Sequence, residues 1–155
     1  VFDRILVATD GSEHSEGAAK FAVDLARLPT GKVTALYVAD TAKYFTSAGE
    51  VTFNIADEII GSVRSATLEE GDKATRRVEE IGKAAGVEVE RKVVEGNPAK
   101  EILKAAEDMH AEVIAIGSIG RTGIEEFLLG SVAEKVVRNS KVPVLVVRKD
   151  GSQGS

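Results

Sequence analysis

Two short stretches of this sequence carry residue types suited to holding an anionic, hydroxyl-bearing ligand. The first is Thr9-Asp10-Gly11-Ser12. Asp10 can accept hydrogen bonds from a sugar hydroxyl or an amino group, with Thr9 and Ser12 beside it. The same four residues also read as a strand-to-helix turn in which Asp10 or Ser12 satisfies free helix N–H groups. The second stretch is Gly117-Ser118-Ile119-Gly120-Arg121-Thr122-Gly123, followed at a distance by Gly130-Ser131-Val132. Glycines let a backbone come close to a phosphate, and successive N–H groups form an anion nest. A helix opening at Ser131 adds N–H donors and a favourable dipole. Ser131 to Glu134 also spells Ser-x-x-Glu, a capping box with a purely structural purpose. Arg121 offers a cation to a phosphate, or simply a solvated side chain.

Other chemistries are excluded. The chain has no cysteine, which removes disulfides, thiolate zinc sites, iron–sulfur clusters and cysteine nucleophiles. It lacks the Gly-x-x-x-x-Gly-Lys-Ser/Thr phosphate loop, the Gly-x-Gly-x-x-Gly dinucleotide fingerprint and the Gly-x-Ser-x-Gly nucleophile elbow. Its two histidines, His14 and His110, have no metal-ligand spacing, so both read as structural or solvated and no residue is assigned to bind metal directly. The acidic pairs Asp57-Glu58, Glu69-Glu70 and Glu79-Glu80 read as a solvated helix face, with Lys73, Arg76 and Arg77 close by.

Composition narrows the class. The 155 residues suit one domain. Twenty basic against 25 acidic side chains give a net charge of −5, which argues against a general grip on nucleic acid. Apolar runs are a few residues long, far below the roughly 20 of a membrane span, and no signal peptide is evident. We expect a cytoplasmic protein with a single domain over residues 1–149, which the family resemblance described below implies is nucleotide-binding, and a flexible tail over 150–155.

The elements that must position the two stretches follow from periodicity. Ile5 to Ala8 is a short buried strand, and Ala18, Phe21, Ala22 and Leu25 recur at helical spacing until Pro29 and Gly31. Val33 to Val38 is a second strand. Ala39 to about Asn54 is irregular. Ile55 to Ala85 reads as a long helix, weakened at Gly61 and Gly71 by about 1 kcal/mol each and stopped by Gly86. Val87 to Val94 is a strand near an edge. Asn97-Pro98 starts a helix reaching about His110, with Asn as cap. Val113 to Ile116 is a strand buried on both faces, Ser131 to Asn139 a helix, and Val142 to Val147 the last strand. This βαβαβαβαβ order predicts an α/β fold with a parallel sheet and helices on both faces. In such a sheet, ligands bind beyond the carboxyl ends of the strands, where both stretches fall.

The spaced set Gly117-x2-Gly120-x9-Gly130-Ser131 resembles the nucleotide-binding motif of the universal stress protein family, and specifically its ATP-binding members. The likeness extends from Phe2 to Arg148. It includes Ile5 to Ser12, Gly96-Asn97-Pro98-Ala99 with Glu101-Ile102-Leu103, Leu128 to Val136, and Pro143 to Val147. The resemblance implies an open, Rossmann-like five-stranded parallel sheet of order 3-2-1-4-5. It implies phosphates held by Gly117, Gly120, Gly130, Ser131 and the Val132 N–H, with Arg121 over them. Thr9 and Asp10 would face the nucleoside, and the Val38 backbone the adenine edge. It also implies a homodimer through the last strand, Val142 to Val147. Ile119 departs from the pattern, since many relatives carry a histidine there.

Three functions stay open at this point. The first is an ATP-binding regulatory switch in a stress response, ATP coming with or without Mg²⁺ and acting on a protein partner. The second is a slow ATPase or phosphotransferase. The third is a dimeric interaction module whose glycines serve turns alone.

Overall fold

The computed structural model describes residues 2–27, 31–40, 53–119 and 129–148. In chain order the elements are β1 (Arg4–Ala8), α1 (Glu13–Ala26), β2 (Lys32–Ala39), α2 (Phe53–Ala85), β3 (Glu88–Glu95), α3 (Pro98–Asp108), β4 (Val113–Gly117), α4 (Ser131–Asn139) and β5 (Val144–Val147). The strands form one sheet of order β3-β2-β1-β4-β5, with every neighbouring pair parallel. The expected topology is therefore the observed one. Gly120, Arg121, most of the irregular 39–54 stretch and the 150–155 tail lie outside the described residues.

The two-residue period of the strands sorts the core into two layers. Ile5 and Val7 of β1, Val33 and Ala35 of β2, and Val113 and Ala115 of β4 pack with α1 and with Val78 of α2. Leu6, Ala8, Leu36, Ile114 and Ile116 point the other way, onto Ala99, Ile102 and Ala106 of α3 and Ala133 and Val136 of α4. Because β1 and β4 are buried on both faces, they carry apolar residues without alternation. The face α1 turns inward is largely alanine (Ala18, Ala19, Ala22, Ala26), so this helix can lie close to the sheet.

Close approach also explains the glycines of α2. A Cβ on Gly71 would meet the Tyr37 ring at 2.6 Å, and one on Gly82 would meet Val89 at 2.4 Å. The helix propensity lost at Gly71 is exchanged for contact with β2 and β3. Arg64 clamps the same helix to the end of β3 through both oxygens of Glu95.

Several element bounds shift by one or two residues from expectation, and two differences have a clear physical cause. β5 begins at Val144, not Val142. Pro143 has no N–H to give to a ladder, although its carbonyl accepts from Ile114 N at 3.0 Å. Val142 instead closes a tight turn with Ser140, whose hydroxyl donates to Val142 O at 2.7 Å and accepts from Val142 N at 3.1 Å. The capping box at Ser131 is absent. Gly130 is the N-cap and makes no side-chain cap bond, Ser131 lies inside the helix, and Glu134 is taken by Arg138 at 2.7 Å. His110 follows α3 at φ 53° with an exposed side chain, and its backbone carbonyl accepts from Arg4 Nε at 2.8 Å.

β4 ends in a contact that fixes its last residue. A Cβ on Gly117 would lie 2.7 Å from the His14 Cβ, 2.8 Å from the His14 carbonyl carbon and 2.9 Å from Ser15 N. Two of these three atoms are α1 backbone, which cannot swing aside. Gly117→Ala is expected to destabilise the protein by about 1–3 kcal/mol, lowering the thermal midpoint by several degrees. A midpoint within about 1 °C of the parent would show that α1 yields freely there.

Two carboxylates tie distant segments together. A hydrogen bond from Arg77, opposed by burial and aided by its charge, holds Glu16 below the usual carboxylate range; the contact is 2.8 Å and joins α1 to α2. Glu112 is held low by the backbone N–H groups of Asp3 and Arg4, at 2.8 and 2.9 Å. A pKa lower in the folded than the unfolded chain gives stability that is whole above the ordinary value, about 4.3, and lost as pH falls through the folded one. The urea midpoint should therefore drop below about pH 4, and drop less steeply in the Glu16→Gln/Glu112→Gln double variant. Equal steepness in both proteins would place the acid sensitivity elsewhere.

Candidate functional site

The carboxyl ends of β1 and β4 sit side by side, with Ala8 paired to Ile116. From there the chain leaves β1 for α1 on one face and β4 for α4 on the other, so the connections diverge and open a crevice. A cavity of about 470 Å³ occupies it, within the usual range of ligand sites. Its wall gathers Thr9, Asp10 and Ser12 from the first stretch and Gly117, Gly130, Ser131 and Val132 from the second, together with Val38. Every described residue among the candidates thus borders one space.

The β1 turn is held from beneath. Thr9 N donates to Leu36 O at 2.9 Å, pinning the turn to β2. The buried Thr9 hydroxyl lies 3.2 Å from the Ser15 hydroxyl and accepts from Gly11 N at 3.2 Å. Ser12 caps α1 by accepting from Ser15 N at 3.2 Å, and Asp10 Oδ1 accepts from Ser12 N at 2.9 Å. The capping reading of this turn is therefore correct for Ser12. Asp10 serves the turn as well, yet it remains half-buried on the cavity wall. The Thr9 hydroxyl is occupied inside the protein and acts here as support.

The β4 side is held by two backbone bonds. Ser118 N donates to Val147 O at 2.8 Å, and Gly130 N donates to Ser118 O at 2.7 Å. They bring the start of α4 against the end of β4. Gly130 carries no side-chain cap, so no hydroxyl of its own covers the first N–H groups of α4, and Ser131, Val132 and Ala133 all border the cavity. That end is built to receive an anion. Gly130 has φ −60° and ψ 152°, extended backbone open to any residue, so its conformation does not require glycine.

Several wall residues were not singled out as site residues by the sequence reading. Leu36, Ile116 and Ile119 form an apolar side, Pro98 and Ile102 come from α3, and Asp40 stands just past β2. Pro98 was visible only as a helix start. Asp40 had one signal: it lies two residues beyond Val38, on the same side of the strand. The buried Ile119 gives the wall an apolar surface. On the opposite face of the sheet a smaller cavity, about 250 Å³, lies between α1 and α2 and shares Thr9, Asp10, Ser12 and Ser15 with the first.

Comparison with known proteins places this architecture. Residues 2–148 match the universal stress protein family. Universal stress protein MJ0531 of Methanocaldococcus jannaschii is 37% identical over 149 residues, covering 96% of this chain and 84% of the relative. Among solved structures, that of MJ0577 from the same organism superposes with a TM-score of 0.79 at 32% identity, over 95% of this chain and 96% of that one. A universal stress protein crystallised in complex with cAMP superposes with a TM-score of 0.65 at 25% identity, over 96% of this chain and 98% of the other. Sequence and fold agree: the chain belongs to the universal stress protein family.

Proposed function

We propose that this chain binds ATP in the β1/β4 crevice and acts as a nucleotide-dependent regulatory switch in stress response. The observation that carries the reading is the α4 N-terminus: a helix start whose N-cap, Gly130, makes no side-chain cap bond, facing a cavity whose other wall holds Asp10. An anion belongs at the first and a ribose hydroxyl at the second. A relative crystallised with cAMP adds support for an adenine nucleotide. Gly117, Gly120, Gly130, Ser131 and Val132 would hold the phosphates, with Arg121 over them. Asp10, seated on Thr9 and Ser12, would take the sugar, and Val38 the base.

Among the described residues no group of three or more His, Cys, Asp or Glu gathers for a metal. Mg²⁺ would therefore arrive on the phosphates, where it supplies charge neutralisation. Among the described wall residues the titratable side chains are Asp10 and Asp40, with no histidine or lysine beside them, and we read the site as a switch rather than a fast enzyme. The edge strand β5, with Val144, Leu145 and Val146 only half-buried, is the surface through which two copies would pair. A chain without cysteine suits a reducing cytoplasm.

Calorimetric titration with ATP and Mg²⁺ is expected to show one site per chain, with turnover below about one per second. Gly130→Val should weaken binding at least about tenfold while the thermal midpoint holds, since its backbone geometry accepts any residue. Millimolar ATP that leaves the parent protein unbound would overturn the reading in favour of a dimerising module. Rapid hydrolysis would turn it into an enzyme.

A further inference from the structure

Resting on the nucleotide reading above, we propose that Asp40 is the residue that makes this site select a purine bearing a 6-amino group. Leu36, Val38 and Asp40 follow one another at two-residue spacing along β2 and just past its end, so all three fall on one face of the sheet. All three border the large cavity. Exposure rises along the series, from Leu36 at 1% to the half-buried Val38 and Asp40. The last bond before Asp40 is Gly96 N to Ala39 O at 3.0 Å, which anchors the residue at the mouth of the β2 side. The α3 side chains that share this wall, Pro98 and Ile102, are apolar and offer a base no hydrogen bond.

Charge gives the cavity a direction. The charged side chains on its described wall are Asp10 and Asp40, both acceptors when ionised. The anion-receiving end is α4, which follows β4. β2 lies two strands away across β1, about 10 Å at ordinary strand spacing. A nucleotide with phosphates at α4 and its sugar at Asp10 therefore places its base over Val38, with its edge toward Asp40. A carboxylate can only accept there, so the base must present a donor. The exocyclic amine of adenine does. Purine with hydrogen in its place does not, and Asp40 would then be desolvated without a partner.

The test compares ATP with purine riboside 5′-triphosphate, which differs only in lacking the 6-amino group, by calorimetry on the full chain. The parent protein is expected to prefer ATP by about tenfold or more. Asp40→Ala should bring the two affinities close to equality by weakening ATP, and Asp40→Asn, which keeps size and shape, should narrow the gap. Circular dichroism confirms that each variant is folded, and the Asn variant decides the matter if the Ala variant is not. A gap that persists unchanged in the variants would assign the amine to the Val38 backbone, and equal affinities in the parent protein would show that no group reads it; either overturns the proposal while the nucleotide reading stands. Binding of neither triphosphate would overturn both.

Discussion

Parallel pairing of β1 with β4 at the middle of the sheet is the constraint to which the other elements answer. Both strands must be apolar on two faces, which dictates Ile5-Leu6-Val7-Ala8 and Val113-Ile114-Ala115-Ile116. Right-handed crossovers then send α1 to one face and α4 to the other. No helix can cover the point where the two connections part, so the crevice is a consequence of topology. What the sequence decides is which groups line it.

Those groups are held by packing that has its own reasons. Gly117 exists as glycine because α1 presses on the end of β4. The same contact places His14 and Ser15, and Ser15 is the hydroxyl against which Thr9 rests. Position on one side of the crevice therefore depends on close approach on the other side of the sheet. A glycine counted as a phosphate residue from its spacing carries a second, mechanical duty. The smaller cavity between α1 and α2 shares this floor of Thr9, Asp10, Ser12 and Ser15, so the two faces of the sheet meet at one turn.

Much of this was readable in the chain, for local reasons. Strand and helix periods, the Asn97 cap with Pro98 after it and the Gly86 stop (φ 74°) are set by neighbouring residues. The misreadings arose where two local rules competed. Val142 and Pro143 look like strand, yet Pro143 lacks the donor. Ser131-x-x-Glu134 looks like a capping box, yet the helix starts one residue earlier, and Glu134 finds Arg138 one turn on. The α3 contribution to the cavity was invisible for a different reason: which helix leans over which strand end is a tertiary fact, and Pro98 and Ile102 carry no polar signal. Asp40 was hidden by the irregular residues that follow it, although the strand period reaches it.

The charge layout constrains how a polyphosphate would be held. The described wall carries two carboxylates and no cation, and the whole chain has a net charge of −5. Phosphates entering such a site would meet repulsion from these described carboxylates, and attraction at contact from the backbone N–H groups at the start of α4. Contact donors are directional and fixed, so they reward a correctly seated phosphate without drawing in every anion. A cation carried in on the phosphates would relieve the repulsion and leave the N–H groups to fix position. On the proposed reading the protein would offer acceptors to the sugar and base and backbone donors to the phosphates, with Arg121 and a ligand-borne cation sharing the charge neutralisation. A site arranged this way would discriminate by hydrogen-bond polarity along its length, which is what the proposed switch needs to tell one nucleotide from other anions.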